Sequence, residues 1–232
     1  MENLITYQPA GKKVRLGRKS DGGYVIVDGL EYDCYISCGM SDEVSFDEAF
    51  VRQHPDVPAH AYDGTVRRPR ALPESVMFFR TNIGPSESPT TTNLVHMSGP
   101  YHEIFLKMDI EGAEWKWLLE IPNQMLQSVK QIAIELHGLF DGSYGATVAD
   151  KTAALERLNE THRLVHVHGN NYGSINNSVP NVLETTWIRK DVGLAGLNER
   201  SFPINGLDFA NDLTKQDYLL NRWPFVAVND KK

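Results

Sequence analysis

Two carboxylates spaced two residues apart, Asp109 and Glu111, follow the apolar run Phe105-Leu-Lys-Met and precede Gly112 and a helical pattern. An α/β sheet delivers acids in this way to the carboxyl edge of a buried strand, where open sheets bind their ligands. A second strand-like run, 131–136, carries Glu135 near its end and is followed by His137. If the two strands are neighbours, Asp109, Glu111, Glu135 and His137 converge on one edge. Oxygen donors with one imidazole suit a hard or borderline divalent ion. Without a metal the carboxylates repel one another, and one takes up a proton near neutral pH. Either state is useful chemistry: a metal lowers the pKa of a hydroxyl, and a raised carboxyl group serves as a general base. The bland alternative for Glu111 and Glu114 is that of acids favoured at a helix N-terminus, and for Glu114 it is the preferred reading.

Further chemistry lies at other strand ends. Gly39 follows the run 34–38 where the chain turns toward a helix, and a glycine there lets a ligand approach the backbone. Asp63 ends the run 59–62, the place where an acid accepts hydrogen bonds from ribose hydroxyls. No G-x-G-x-x-G is present, so a nucleoside without phosphates suits the pattern better than a dinucleotide. His166-Val-His168-Gly-Asn170-Asn171 closes the run 163–168. Period two puts both histidines on one face, with His168 toward the crevice and His166 read as a core histidine. Imidazole beside amides suits a polyhydroxylated ligand or a catalytic base.

Elements must position these residues. Strand-like runs recur at 25–27, 34–38, 59–62, 76–81, 104–109, 131–136, 163–168 and 182–190. Between them, Ser45 with Glu48 fits a capping box before a helix that stops ahead of Pro55. Ile110, Ala113, Trp117, Leu118 and Ile121 mark one face of a helix ended by Pro122, and 149–161 is another helix. The segment 82–100 reads as a long active-site loop. The connection 169–181 is too polar for a crossover helix, so the last two strands form an antiparallel hairpin. The expected fold is α/β: a Rossmann-like, seven-stranded, mostly parallel sheet with helices on both faces. Trp115, Trp187 and Trp223 read as packing, and the tail 202–224 carries no readable chemistry.

The 232 residues fit one domain, with a lead-in over 1–30 and an extension over 191–232. A net charge of −7 speaks against nucleic acid, whose phosphates call for a basic surface. The basic runs 12–19 and 67–70 read as solvated faces. No apolar stretch approaches the roughly 18 residues of a membrane span, and no signal peptide is legible at Met1. Cys34 and Cys38, four apart in one strand, read as buried thiols in a reducing compartment, which points to the cytoplasm.

The motifs around Asp21-Gly-Gly-Tyr24, Ser37-Cys-Gly-Met-Ser-Asp-Glu-Val-Ser-Phe46, Leu106-Lys-Met-Asp109-Ile-Glu111-Gly-Ala-Glu114 and His168-Gly-Asn-Asn171 resemble those of FkbM-type methyltransferases over residues 15–190. The resemblance implies a class I methyltransferase sheet and S-adenosylmethionine as cofactor, seated on Ser37, Gly39, Ser41, Asp63, Asn82, Ile83 and Asp109. It implies methyl transfer to a hydroxyl of a glycan, nucleotide-sugar or glycosylated metabolite. Asp109, Glu111, His137 and His168 are then the candidate catalytic residues, with Glu111 or His137 as base. Tyr24, Glu135, Asn170 and Asn171 are the candidate acceptor contacts, and Asp109 with Glu135 the candidate ligands of magnesium or manganese. Strand five ends here in Glu-Leu-His, where the pattern has adjacent acids. The expected partner is a small-molecule or glycan sugar, with neither nucleic acid nor membrane; the subunit count is not fixed by the sequence, and a homodimer is one option. Rival readings are methylation of a nitrogen or a phosphorus-linked oxygen, and a non-catalytic glycan-binding module. A nicotinamide oxidoreductase is weakened by the missing pyrophosphate loop.

Overall fold

The computed structural model describes residues 2–176 and 179–227. Seven strands form the central sheet: β1 (Cys34–Cys38), β2 (Ala59–Tyr62), β3 (Val76–Phe79), β4 (Ile104–Met108), β5 (Val129–Leu136), β6 (His162–Gly169) and β7 (Leu183–Arg189). Their spatial order is β6-β7-β5-β4-β1-β2-β3. Neighbours from β5 to β3 pair in parallel, and β7 lies antiparallel between β5 and β6. The expected hairpin is present, with its second strand inserted inside the sheet and β6 at the edge. Central strands are buried along almost their whole length, which explains why β1, β4 and β5 read as continuous apolar runs. The chain direction across the sheet reverses between β1 and β4. The carboxyl ends of these two strands therefore flank the crevice where such sheets take ligands.

One face is covered by α2 (Glu114–Glu120), α3 (Asn123–Ser128) and α4 (Val148–Thr161), which bury Trp115, Leu118, Met125, Leu126 and Leu158 against β4, β5 and β7. The other face carries α1 (Ser45–Gln53), whose Phe46 and Phe50 pack with Tyr35 and Phe105. Beside α1 lies a hairpin of Lys13–Leu16 and Tyr24–Val27, so the expected lead-in is part of this layer. Gln131 fastens it, accepting from the Val27 N–H at 2.8 Å and donating to the Val27 carbonyl at 3.1 Å. The basic run over 12–19 is thus not a simple solvated face. Arg15 donates inward to the carbonyls of Arg18, Ser20 and Leu207.

Other local expectations also shift. The cap of α1 is Val44 rather than Ser45, whose hydroxyl instead accepts from the Arg18 N–H at 2.9 Å. α2 starts at Glu114, because Glu111 and Gly112 adopt left-handed φ angles of 52° and 95° and spend the first turn on a bend. α4 does carry a capping box, formed by Thr147 and Asp150. The loop 82–100 contains two short paired strands, Asn82–Ile83 and Thr91–Thr92, and one 3₁₀ turn, so no α-helix crosses from β3 to β4. Cys34 and Cys38 are free, buried thiols, as expected. Among the described residues no helix is long and apolar enough to cross a membrane.

Candidate functional site

A cleft of about 590 Å³ opens at the carboxyl ends of β1, β2 and β4, lined by Gly39, Ser41, Asp63, Asn82, Ile83, Asp109 and Glu111 among others. Its volume is in the range of small-molecule sites. Gly39 has φ +70°, and an added Cβ would sit inside the backbone carbonyl of Asp109. The glycine is therefore required by the closeness of two chain segments rather than by a ligand alone. Around it the turn is tied on three sides: Gly39 N–H to Tyr62 O at 3.0 Å, Asp109 N–H to Cys38 O at 2.8 Å, and Lys107 Nζ to Gly39 O at 2.6 Å.

Asp63 organises the same turn. Its Oδ2 accepts the N–H groups of Met40 and Ser41 at 3.1 and 3.0 Å, and its Oδ1 accepts the Thr65 N–H and hydroxyl at 2.8 and 2.6 Å. Burial works against its charge, but these donors hold the carboxyl below the usual range. All four acceptor directions are filled, and the Thr65 hydroxyl is the one donor that rotates away without moving the backbone. Among the described residues lining the cleft are five acids, Asp21, Glu43, Asp63, Asp109 and Glu111, against the single base Lys107.

Behind Asp109 stand Glu135 and His137, buried at 4% and 5% exposure. One ligand atom from each of the three lies within 4.8 Å of the other two. Burial pushes the Glu135 carboxyl well up, and the charges of Asp109 and Glu184 push the same way. Burial opposes charge on His137, but the bond to Glu114 and the nearby acids outweigh it and raise its pKa. Glu111, with its side chain 82% exposed, reaches within 3.5 Å of His137 Nε2. Asp109, Glu111, Glu135 and His137 are thus brought together, and Tyr24 joins them through a 3.2 Å bond from its hydroxyl to Asp109 Oδ2. Asn170 joins as well, donating to Glu135 Oε1 at 2.6 Å.

Three expected residues go elsewhere. Ser37 is fully buried and does not line the cleft, because its strand position points it toward the α1 layer with Tyr35. His168 has both ring nitrogens engaged, Nδ1 with Glu184 at 2.9 Å and Nε2 with Asp217 at 3.0 Å, which leaves none for a substrate. Asn171 spends its amide on the Asp212 backbone, donating to its carbonyl and accepting from its N–H. These two therefore anchor the C-terminal extension. His166 does the same through Asp208 at 2.8 Å, in keeping with its reading as a core histidine.

Several contributors carry little signal in the sequence. Glu114 is fully buried and grips His137 instead of merely facing a helix dipole. Its only signal is a carboxylate two residues past a turn glycine, placed to accept that glycine's N–H. Lys107 interrupts an apolar strand, and a lone base there is the clue to its bond with Gly39. Asp208, Asn211 and Asp217 sit in the tail that reads as silent. Asn211 links Asp21 and Glu184, so the tail reaches the mouth of the cleft.

No protein-family profile matches the chain, and no curated protein does. Solved structures give distant likenesses. A fibrillarin/Nop5p complex aligns at TM-score 0.44 and 11% identity, covering 69% of this chain and 74% of that one. LepI complexed with SAM aligns at TM-score 0.31 and 11% identity over 69% of this chain and 43% of LepI. A cysteine-to-alanine variant of LepI, in complex with SAH and a substrate analogue, gives the same values.

Proposed function

We propose that the chain is an S-adenosylmethionine-dependent methyltransferase acting on a hydroxyl of an uncharged sugar. The observation that carries the reading is an acid-lined cleft at the sheet's switch point, with Asp63 at the end of β2 and Asp109 at the end of β4. A sulfonium donor is a cation, and five lining carboxylates against one lysine favour it. The residues suited to hold it are Gly39, Ser41, Asp63, Asn82 and Ile83. Asp63 would receive a ribose hydroxyl in place of the Thr65 hydroxyl. When bound, the cofactor supplies an electrophilic methyl group.

The protein's own task is to align the acceptor and take its proton. Asp109 and Glu111 line the cleft, whereas Glu135 and His137 stand behind, so Asp109 orients the hydroxyl and Glu111 receives the proton. Asn170 and Tyr24 fix the carboxylates of Glu135 and Asp109. The same acidity disfavours phosphorylated acceptors: a nucleotide-sugar brings its diphosphate into like charge. This argues against methylation of a phosphorus-linked oxygen as well. The resemblance to FkbM-type sequences supports the sugar class.

Calorimetry with S-adenosylhomocysteine is expected to show one site with sub-millimolar affinity. Mass spectrometry after incubation with the cofactor is expected to show one added methyl on neutral glycosides and little or none on nucleotide-sugars. Glu111→Gln is expected to lower kcat by about 10²–10⁴-fold, the usual loss of a general base, while cofactor binding stays within a few-fold. Absence of cofactor binding overturns the methyltransferase reading, and preferential methylation of nucleotide-sugars overturns the charge argument.

A further inference from the structure

The loop between β5 and α4 carries a tyrosine in an unusual state. Tyr144 has φ +59°, in the left-handed region that a bulky side chain rarely takes. It is nonetheless 46% exposed, so much of its ring is open to a ligand. A backbone angle of this kind persists only where the surroundings over-determine it, and such places cluster at ligand sites.

The surroundings here do so. Lys151 of α4 is 1% exposed and spends its ammonium on the carbonyls of Gly138, Asp141 and Ser143, at 2.5, 2.9 and 3.0 Å. Asn181, just before β7, clamps the same loop, accepting from the Phe140 N–H at 2.8 Å and donating to Asp141 Oδ2 at 2.6 Å. Two glycines then make room for the ring. A Cβ on Gly112 would collide with Cβ and Cδ1 of Tyr144, and one on Gly138 would press on its Cδ2. Gly112 follows β4 and Gly138 follows β5, so the loops after both acid-bearing strands are cut back for one side chain.

The position is at one end of the cleft. Gly112 stands between Glu111 and Ala113, which both line the cavity. The ring centre of Tyr144 is 5.5 Å from that of His137. Partial burial, and then the charge of Glu111, raise the pKa of its phenol, which keeps the hydroxyl protonated. Gly39 and Asp63, suited to the donor, belong instead to the ends of β1 and β2.

We infer that Tyr144 is the platform on which the acceptor's sugar ring stacks, and that the site therefore selects closed pyranose rings over open-chain polyols. The inference rests on the sugar reading above. A pyranose has a face of C–H bonds that packs on an aromatic ring, while its hydroxyls project sideways toward polar groups. An exposed phenol ring beside Glu111 offers both. An open-chain polyol has the hydroxyls but no flat apolar face.

The test is ligand-detected NMR on the full chain with S-adenosylhomocysteine, pairing the methyl glycosides of glucose, galactose and mannose with the corresponding alditols. Calorimetry of S-adenosylhomocysteine alone runs beside it. At least one glycoside is expected to bind about tenfold or more tighter than its alditol, a comparison that needs no variant. Tyr144→Phe keeps the flat ring and is expected to stay within a few-fold of the wild type. Tyr144→Asn suits the left-handed backbone, which offsets its lost packing, so its urea midpoint is expected to stay near that of the wild type. Its glycoside affinity is expected to fall about tenfold or more, with S-adenosylhomocysteine affinity unchanged and KM moved more than kcat. A merely structural tyrosine would not give that pattern. Equal glycoside binding by wild type and Tyr144→Asn overturns the platform, and alditols that bind as well as the glycosides overturn the selection of rings. Binding of S-adenosylhomocysteine without any glycoside overturns this inference and leaves methyl transfer standing. Glycoside binding without S-adenosylhomocysteine does the reverse.

Discussion

Gly39→Ala is expected to destabilise the fold by about 2–5 kcal/mol and to remove ligand binding from the cleft. Two costs add. A left-handed backbone costs a non-glycine residue roughly 1–2 kcal/mol, and forcing an atom into a packed contact costs about another 1–3 kcal/mol in backbone shifts. At Gly39 both apply, since φ is +70° and the new Cβ would collide with the carbonyl of Asp109. That contact is with backbone, so no side chain can swing aside to relieve it. Gly29 separates the two terms: its φ is +76°, yet nothing lies within 4 Å of an added Cβ. Gly29→Ala should therefore show only the conformational cost. Urea unfolding of both variants makes the comparison. Equal losses would mean that the contact with Asp109 yields easily and that the turn is not rigid.

Stability is also expected to decline as pH rises from about 7 toward 10, through His168. Burial opposes its charge, but hydrogen bonds to Asp217 and Glu184 overcome this and raise its pKa to about 10. In the unfolded chain the same group titrates near its ordinary value of ~6.5. Between these values the folded state holds a proton that the unfolded state has released. Linkage then gives a falling stability, by up to ~1.4 kcal/mol per pH unit. The contribution is complete below the unfolded value and is lost as pH climbs through the folded one. His168→Gln should flatten the slope. Other groups titrate in both proteins, so the difference between the two curves isolates His168. Parallel curves would show that the histidine is not charged in the folded state.

The sheet is readable because each central strand is an apolar run cut off by a polar residue with chemistry. Asp63, Asp109 and Glu135 all mark strand ends in this way, and their meeting at one rim follows from strand order. Boundaries set by backbone conformation are less legible. Nothing in the residue types of Ile110–Ala113 announces that Glu111 takes a left-handed angle, so α2 begins four residues later than periodicity suggests. Ser45 satisfies the pattern of a cap but serves Arg18, because the hairpin beside it presents an N–H in need of an acceptor. That hairpin is itself hidden, since Lys13, Arg15 and their neighbours look like a charged surface until partners at Leu207 and Ser20 are known. His168 is the clearest case. Its fate is decided by Asp217, 49 positions away in a segment without internal periodicity.

The bond between Lys107 and Gly39, and the carbonyl of Asp109 seated against the same glycine, have a mechanical consequence. The floor of one half of the cleft and the leading acid of the other half are a single stiff joint between β1 and β4. Neither can slide without breaking the sheet at its centre. Any change in the shape of the cleft then falls to the outer pieces, chiefly the exposed Glu111 bend and the Asp21-Gly22 turn that Asn211 tethers. The distance between the two halves of the cleft is therefore set when the chain folds.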